Sequence, residues 1–380
     1  SAFIRADYLS QNIKDHAITP LDLLFYLYYL CITVLDKLNV LALDYPRLEI
    51  IVLNDRSSDA TPEILERMTE QHPRLRVIHI RELPKGWLGK NYALHFGAEH
   101  AKGEFLLFTD ADAQMKSDTI SRVVARMEEG GLDHLCLTFR PDMPSSLLSM
   151  LVVDSLSVLL TIFKPWLTVN PNSRYFMGIG AFNFVRSSTY SRLGGHRPIR
   201  LCPVDDILLG RLVKESGGRQ ECLNGTDFVR VPWYSSVSEM ADGLCKNILA
   251  VIDYRLDLLV AATLLIICCN IMPFLGLFFT EGIVRLLCGS CVVVAFLSML
   301  VSARVFGIPP SCLRWFLFTP YIKLYMIWRA ALTTLTRGGI DWRGTFYPLD
   351  DLKRYMVPVW PWRKLRRNFW ESGREGLRHH

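Results

Sequence analysis

Short apolar runs alternate with amphipathic stretches between residues 45 and 250. "LEIIVLND" (Leu48–Asp55) is rich in isoleucine and valine and too short for a helix, so it predicts a buried strand. "SSDATPEILERMTEQH" follows, with Thr61 as N-cap and Pro62 at the first helical position. The alternation continues through a strand at Leu75–Ile80, a helix "GKNYALHFGAEHA", a strand "EFLLFTDAD", a helix "SDTISRVVARMEEG" and a strand "HLCLTF". This order predicts an α/β domain on a doubly wound parallel sheet, where ligands gather at the carboxyl ends of strands. Asn54–Asp55 and Asp110–Asp112 both fall at such ends.

The pattern then changes. Ser145–Trp166 is a long apolar stretch interrupted by Asp154, which predicts a helix on the sheet or at a membrane interface rather than a span. Asp257–Phe279 and Val284–Phe306 are apolar runs of spanning length separated by the turn "TEGIVR", and they predict two antiparallel transmembrane helices. A third stretch, Leu313–Leu335, contains Pro320, Lys323 and Arg329, and its pattern is open between a span, a re-entrant segment and an interfacial helix. The expected divisions are an N-terminal apolar segment at 1–43, a catalytic domain at 44–250, membrane or interfacial helices at 251–336 and a cytoplasmic segment at 337–380.

Composition agrees with that division. Half of the 380 residues are hydrophobic and only 21% are charged, more apolar than an ordinary soluble enzyme. The net charge of +6 matters less than its placement: the tail from Lys353 to Arg378 mixes basic residues with Trp360, Trp362, Phe369 and Trp370. That mixture suits an anionic membrane surface better than a nucleic-acid groove, with a solvated tail as the plain alternative. The ten cysteines form no paired framework, and Cys288 and Cys291 lack the second pair that a zinc site needs. Reduced thiols facing a cytoplasm are the expectation. The apolar stretch Leu21–Leu35 lacks the basic flank and cleavage site of a signal peptide.

Chemistry concentrates at a few positions. Asp110 and Asp112 place two like charges at the end of a buried strand, an arrangement opposed by repulsion and desolvation unless a cation sits between them. Asp205 and Asp206 open the amphipathic segment "VDDILLGRLVKESGG", where acidic residues also serve simply as helix caps. Lys90 in "GWLGKN" sits near a helix start between glycines that free the backbone, a setting that suits phosphate as well as plain solvent.

Taken in order, "EIIVLNDRSSDAT", "PKGWLGKNYAL", "FLLFTDAD", "FMGIGAFNFVRSSTYSRLGGH", "VDDILLGRLVKESGG", "LCKN" and "GGIDWRGTFY" resemble membrane-associated family 2 glycosyltransferases of the GT-A fold, a nucleotide-diphospho-sugar transferase fold of Rossmann-like type. Within that family they are nearest to enzymes that glycosylate hopanoids, carotenoids or ceramide-like lipids. The resemblance implies that Asp110 and Asp112 hold Mg²⁺ or Mn²⁺ against the diphosphate of a nucleotide-sugar donor. It implies that Asp55 accepts from the nucleobase imide, favouring a UDP-sugar, with Asp59 in the same turn or capping the next helix. Lys90 then lies at the donor phosphates, Asp206 beside Asp205 is the general base of an inverting transfer, and Arg343 and Trp342 return to the donor or acceptor after the membrane helices. His196 lines the acceptor site or is an ordinary structural histidine, and Trp87 packs on the core or on the nucleotide. The implied partners are the donor, a lipid-like acceptor and a cell membrane crossed more than once, with the catalytic domain cytoplasmic.

The family's usual first strand is not recognisable; "LDLLFYLYYLCITVLDKLNVL" stands in its place. Two rival readings follow, a catalytically silent membrane scaffold and a polysaccharide synthase, the latter disfavoured by the short membrane region.

Overall fold

The computed structural model describes residues 39–363 apart from positions 246 and 343. The expected N-terminal apolar helix and the tail beyond position 363 lie outside the described residues.

The alternating pattern folds as read. β1 (Ile50–Asp55) leads into α1 (Thr61–Gln71) and β2 (Leu75–Ile80), and β1 and β2 pair in parallel with Asp55 opposite Ile80. Ile64, Leu65 and Met68 recur at helical spacing along α1 and bury against Val52 and Leu75. The start of α1 differs by one residue from expectation: Ala60 is the N-cap, and the Asp59 carboxylate closes the turn by accepting from the Thr61 amide at 3.0 Å. α2 (Gly89–His100) then runs to β3 (Phe105–Phe108), β4 (Gln114–Met115) and α3 (Thr119–Gly130), which ends on left-handed Gly131. β5 (His134–Leu137), β6 (Arg140–Pro141) and α4 (Ser146–Phe163) follow.

The sheet is not uniformly parallel. β7 (Asn183–Arg186) enters antiparallel between β3 and β5, and β8 (Gln220–Leu223) continues parallel to β5, giving the order β3-β7-β5-β8. β4, β6 and β9 (Val229–Val231) form a separate three-stranded sheet. Among the described residues no strand pair joins β1–β2 to the four-stranded sheet. β7 escapes the sequence pattern because it is only four residues long, set between a glycine-rich turn and α5 (Ser187–Arg192). The largest core lies around this sheet, with Leu135, Phe182, Val185, Leu208 and Leu212 all inaccessible to solvent. The last two belong to α6 (Asp205–Glu215).

α7 (Val237–Cys245) and α8 (Ile248–Val251) lead to a long apolar helix built of α9 (Leu256–Ile266), a π-helical turn at Ile267–Ile271 and α10 (Met272–Phe279). α11 (Gly282–Val305) returns antiparallel after a two-residue link, 280–281. Among the described residues three helices are long and apolar enough to cross a membrane: Ser146–Leu167, Leu256–Phe279 and Gly282–Val305. Half of the first is buried inside the protein, against 17% and 11% of the other two. α4 therefore packs as a core helix, and its interrupting charge is matched, Asp154 lying 2.7 Å from Lys323 on α12 (Thr319–Arg337). Among the described residues the outward apolar faces of the other two have no protein partner, as a lipid-facing pair requires.

Pro320 does not kink α12; it occupies the first turn, where its missing N–H costs nothing. Gly338 ends the helix with φ of 68°, and the hairpin β10 (Gly339–Trp342) and β11 (Thr345–Pro348) folds back on the catalytic domain before α13 (Leu349–Arg354). Ile340 and Tyr347 bury in one cluster with Leu88 and Leu249, which ties the hairpin to the start of α2.

Candidate active site

The turn after β3 carries Asp110 and Asp112 and is fastened from behind by the segment before β7. The Asp110 amide donates to the Gly180 carbonyl at 3.1 Å, and the Thr109 hydroxyl donates to the Ala181 carbonyl at 2.8 Å. Gly180 in turn donates its amide to Asp206 Oδ2 at 2.9 Å, while Asp206 Oδ1 accepts from the Ile207 amide at 2.9 Å. One residue of backbone thus links two acids that lie 96 positions apart in the chain. A Cβ at Gly180 would stand 2.9 Å from Asp110 Oδ2 and 3.3 Å from Asp206 Oδ2. Gly178 is equally confined, since a Cβ there would overlap the Asp206 carbonyl at 1.8 Å. Only glycine permits these approaches.

Lys90 enters from the first turn of α2. Its ammonium is 3.2 Å from Asp205 Oδ1 and 3.7 Å from Asp110 Oδ1. Burial opposes its charge, but Asp110, Asp205 and Asp206 outweigh that penalty and hold the lysine pKa above its ordinary value. Asp205 is buried, and burial pushes it up to about 6, with Lys90 opposing the rise and Asp206 and Asp110 adding to it. Asp206 is only half-buried and lies across Gly180 from Asp110. The two adjacent acids at the start of α6 therefore differ: one is a counter-ion to Lys90, and the other is positioned by backbone amides at a helix N-terminus.

His196 belongs to the packing. It is 1% exposed, its Nδ1 lies 2.6 Å from the Tyr190 hydroxyl, and Phe108 meets its ring edge-on. Burial drops its pKa well below the usual imidazole range, so the neutral ring backs Asp205 at 3.9 Å without a formal ion pair. Trp87 likewise stacks on His95 and meets Tyr92 edge-on.

On the other side of α2, Asp55 ends β1 with a buried carboxylate. Both of its oxygens are held by Arg56, Oδ1 by Nε at 2.8 Å and Oδ2 by Nη2 at 3.2 Å. Arg56 has φ of 55°, and its guanidinium also reaches the Thr345 hydroxyl on β11 at 3.3 Å. Gly89 fits against Asp55, since a Cβ there would stand 2.6 Å from Oδ2, and its amide donates to the Tyr347 hydroxyl at 3.2 Å. The hairpin after the apolar helices is therefore part of this wall. Trp342 is half-buried beside Leu88, and Arg343 lies outside the described residues.

The structure brings Lys90, Asp110, Asp205 and Asp206 into one cluster, with Asp112 half-buried two positions along the same turn. Asp55 adjoins it through Gly89, Trp342 packs against the cluster that holds Leu88, and Asp59 is engaged in its own turn. Arg56, Tyr347 and the bridging role of Gly180 were not apparent from the sequence. "GIG" was visible as a motif, but nothing local says which side chains its backbone meets. Among the described residues no three His, Cys, Asp or Glu side chains converge as a complete metal site. The available donor set is the carboxylate pair Asp110 and Asp112, oxygen-only, which suits Mg²⁺ or Mn²⁺ when water and phosphate oxygens supply the rest.

Residues 32–182 match the family model "Glycosyl transferase family 2". They are a family 2 glycosyl transferase domain. The match spans Asp55, Lys90, Asp110, Asp112 and Gly180, and stops before Asp205 and Asp206. Among curated relatives, the β-monoglucosyldiacylglycerol synthase of Synechocystis is 36% identical over 85 residues, 22% of this chain and 17% of that protein. The 4,4'-diaponeurosporenoate glycosyltransferase of Staphylococcus haemolyticus is 23% identical over 213 residues, 53% of this chain and 54% of its own. The chain thus spans from under a fifth to about half the length of these relatives. Among solved structures, the mannosyltransferase PcManGT from Pyrobaculum calidifontis, in complex with GDP-Man and Mn²⁺, aligns over 80% of this chain and 83% of that one, at 19% identity and a TM-score of 0.46. The matched residues take in the α/β layers from β1 to the turn before β7, and the two exposed apolar helices follow on their carboxyl side.

Proposed function

We propose that this family 2 protein is an inverting glycosyltransferase that moves a sugar from a nucleotide-sugar donor, of UDP type, to the hydroxyl of a lipid-like acceptor at a membrane. The observation that carries the reading is the meeting of Asp110 and Asp206 across Gly180, with Lys90 beside them.

In this reading Asp206 is the base. It is less buried than Asp205, backed by two amides, and adjacent to the metal-side turn. It takes the proton of the acceptor hydroxyl as that oxygen bonds to the anomeric carbon and the bond from that carbon to the diphosphate breaks. A single displacement needs no second catalytic carboxylate and inverts the anomeric centre. Asp205 does not compete for this task, because it is buried and paired with Lys90. Asp110 and Asp112 would hold Mg²⁺ or Mn²⁺, which offsets the charge on the departing diphosphate. Lys90 adds a fixed positive charge on the same side. The acceptor class is supported by the two lipid-facing helices that adjoin the catalytic domain and by the names of the relatives. The hairpin after α12 contacts Gly89 and Arg56, so the same face of the membrane carries both the donor wall and the segments that follow the spans. A cytoplasmic face fits the basic, aromatic tail.

A silent scaffold is favoured by one feature: the Asp55 carboxylate assigned to the nucleobase is already held by Arg56. The two readings separate on purified full-length protein in detergent, offered a panel of nucleotide sugars with Mg²⁺ or Mn²⁺. Metal-dependent transfer or donor hydrolysis that is lost in Asp112→Ala supports the enzyme. Absence of any nucleotide binding supports the scaffold and rejects the transferase.

A further inference from the structure

Three buried polar side chains lie beneath the bridge between Asp110 and Asp206. His134, Asn183 and Gln220 are each no more than 2% exposed. They open β5, β7 and β8, three strands adjacent in one sheet. His134 faces Gln220 directly in the parallel register, and it is diagonal to Asn183, which pairs with Cys136. The Gln220 amide group donates to His134 Nδ1 at 3.0 Å and to the Gly210 carbonyl at 2.8 Å, and its oxygen accepts from the Met177 amide at 2.9 Å. With Nδ1 accepting, Nε2 carries the ring proton and donates to Asn183 Oδ1. Asn183 Nδ2 then donates to the Asp206 carbonyl at 3.3 Å.

The contacts are directional. Gln220 anchors the residue before Gly178 and a carbonyl in the middle of α6, Asn183 anchors the first turn of α6, and His134 locks the two amides to each other. The segment 177–183 and the start of α6 are thereby set against one buried frame, and between them runs the hydrogen bond from Gly180 to Asp206. Buried polar groups that satisfy one another fully are stiff, whereas a network missing one member leaves costly orphans. An apolar trio of similar size would fill the same space without fixing the relative position of the two segments.

We propose that His134, Asn183 and Gln220 are positioning residues that hold the Asp206 carboxylate and the Gly180 amide in register with Asp110. Their catalytic consequence rests on the transferase reading above; their mechanical role does not.

Asn183→Asp tests both. It keeps an acceptor for His134 but replaces the donor to the Asp206 carbonyl with an oxygen. Thr189→Val is the matched control, because Thr189 is equally buried yet bonds Asp133 and no member of the trio. Hydrogen exchange of the full-length protein is read at the Gly180 amide, alongside donor KM, kcat and nucleotide affinity. The expected result is exchange at Gly180 faster by about tenfold or more than in the control, with kcat lowered about 10- to 100-fold and nucleotide affinity held within about threefold. Equal exchange in the two variants overturns the proposal, and so does raised exchange with unchanged kcat. If wild-type protein turns over no nucleotide sugar, the transferase reading fails, and the exchange comparison alone decides the positioning role. Should Asn183→Asp not fold, Gln220→Glu, which loses both donors and keeps the acceptor for Met177, gives the same readout.

Discussion

The amide of Gly180 donates to the carboxylate of Asp206 at 2.9 Å, and the carbonyl of the same glycine accepts from Asp110. A side chain at position 180 would have to displace one acid or the other. Gly180→Ala is expected to lower turnover by about 100-fold, since errors of an ångström in catalytic geometry have that effect. The melting temperature should fall by only a few degrees. Steady-state kinetics beside a thermal melt checks this; full activity in the alanine variant would mean that the two acids do not work together.

The adjacent acids should separate cleanly. Asp206→Asn removes the base and keeps an acceptor for one of its two amide donors, so kcat should drop by about 10²- to 10⁴-fold while nucleotide binding persists. Asp205→Asn removes the buried partner of Lys90 and should act first on stability. Single-turnover assays with calorimetric nucleotide titration distinguish them, and equal kinetic damage from both would reassign the base.

Lys90→Met leaves Asp205 buried without its cation. Breaking such a pair from one side costs about 3–5 kcal/mol, because the remaining charge has no solvent to fall back on. Denaturant unfolding should show that loss, with partial recovery in Lys90→Met/Asp205→Asn. No recovery in the double variant would show that the lysine works mainly on a ligand.

His134 predicts an acid limit. Burial drops its pKa to about 4 from an ordinary value of 6.5. Above that ordinary value both folded and unfolded chains hold it neutral. As pH falls below it, the unfolded chain takes up a proton that the folded chain refuses, so stability is lost progressively down to about 4 and then levels. The loss should approach about 3 kcal/mol across that window. Comparing melts of wild type and His134→Gln between pH 7 and pH 4 (approximate limits, set by the same shift) isolates it; parallel curves would place the proton elsewhere.

Much of the site was legible along the chain because its parts are local. A hydrophobic strand ending in Asp-x-Asp, a glycine-flanked lysine at a helix start and an acidic pair opening a helix are each short, and each residue type announces its chemistry. Asp59 was legible in its capping role for the same reason. Arg56 and Tyr347 were not, since an arginine after a strand and a tyrosine in a hairpin have no special local signature; their meaning comes from Asp55 and Gly89, which fold beside them. The antiparallel insertion of β7 was also silent, because four residues do not establish a period.

Hydrophobic periodicity and charge placement were enough to establish an α/β domain, apolar helices of spanning length and the residue types available for chemistry, because burial and backbone bonding act on every few residues alike. They could not say that Asp205 pairs with Lys90 while Asp206 meets the Gly180 amide, or that one glycine joins acids 96 positions apart. Those outcomes depend on which strands lie side by side and how closely their backbones approach. Such distances exist only once the chain has packed.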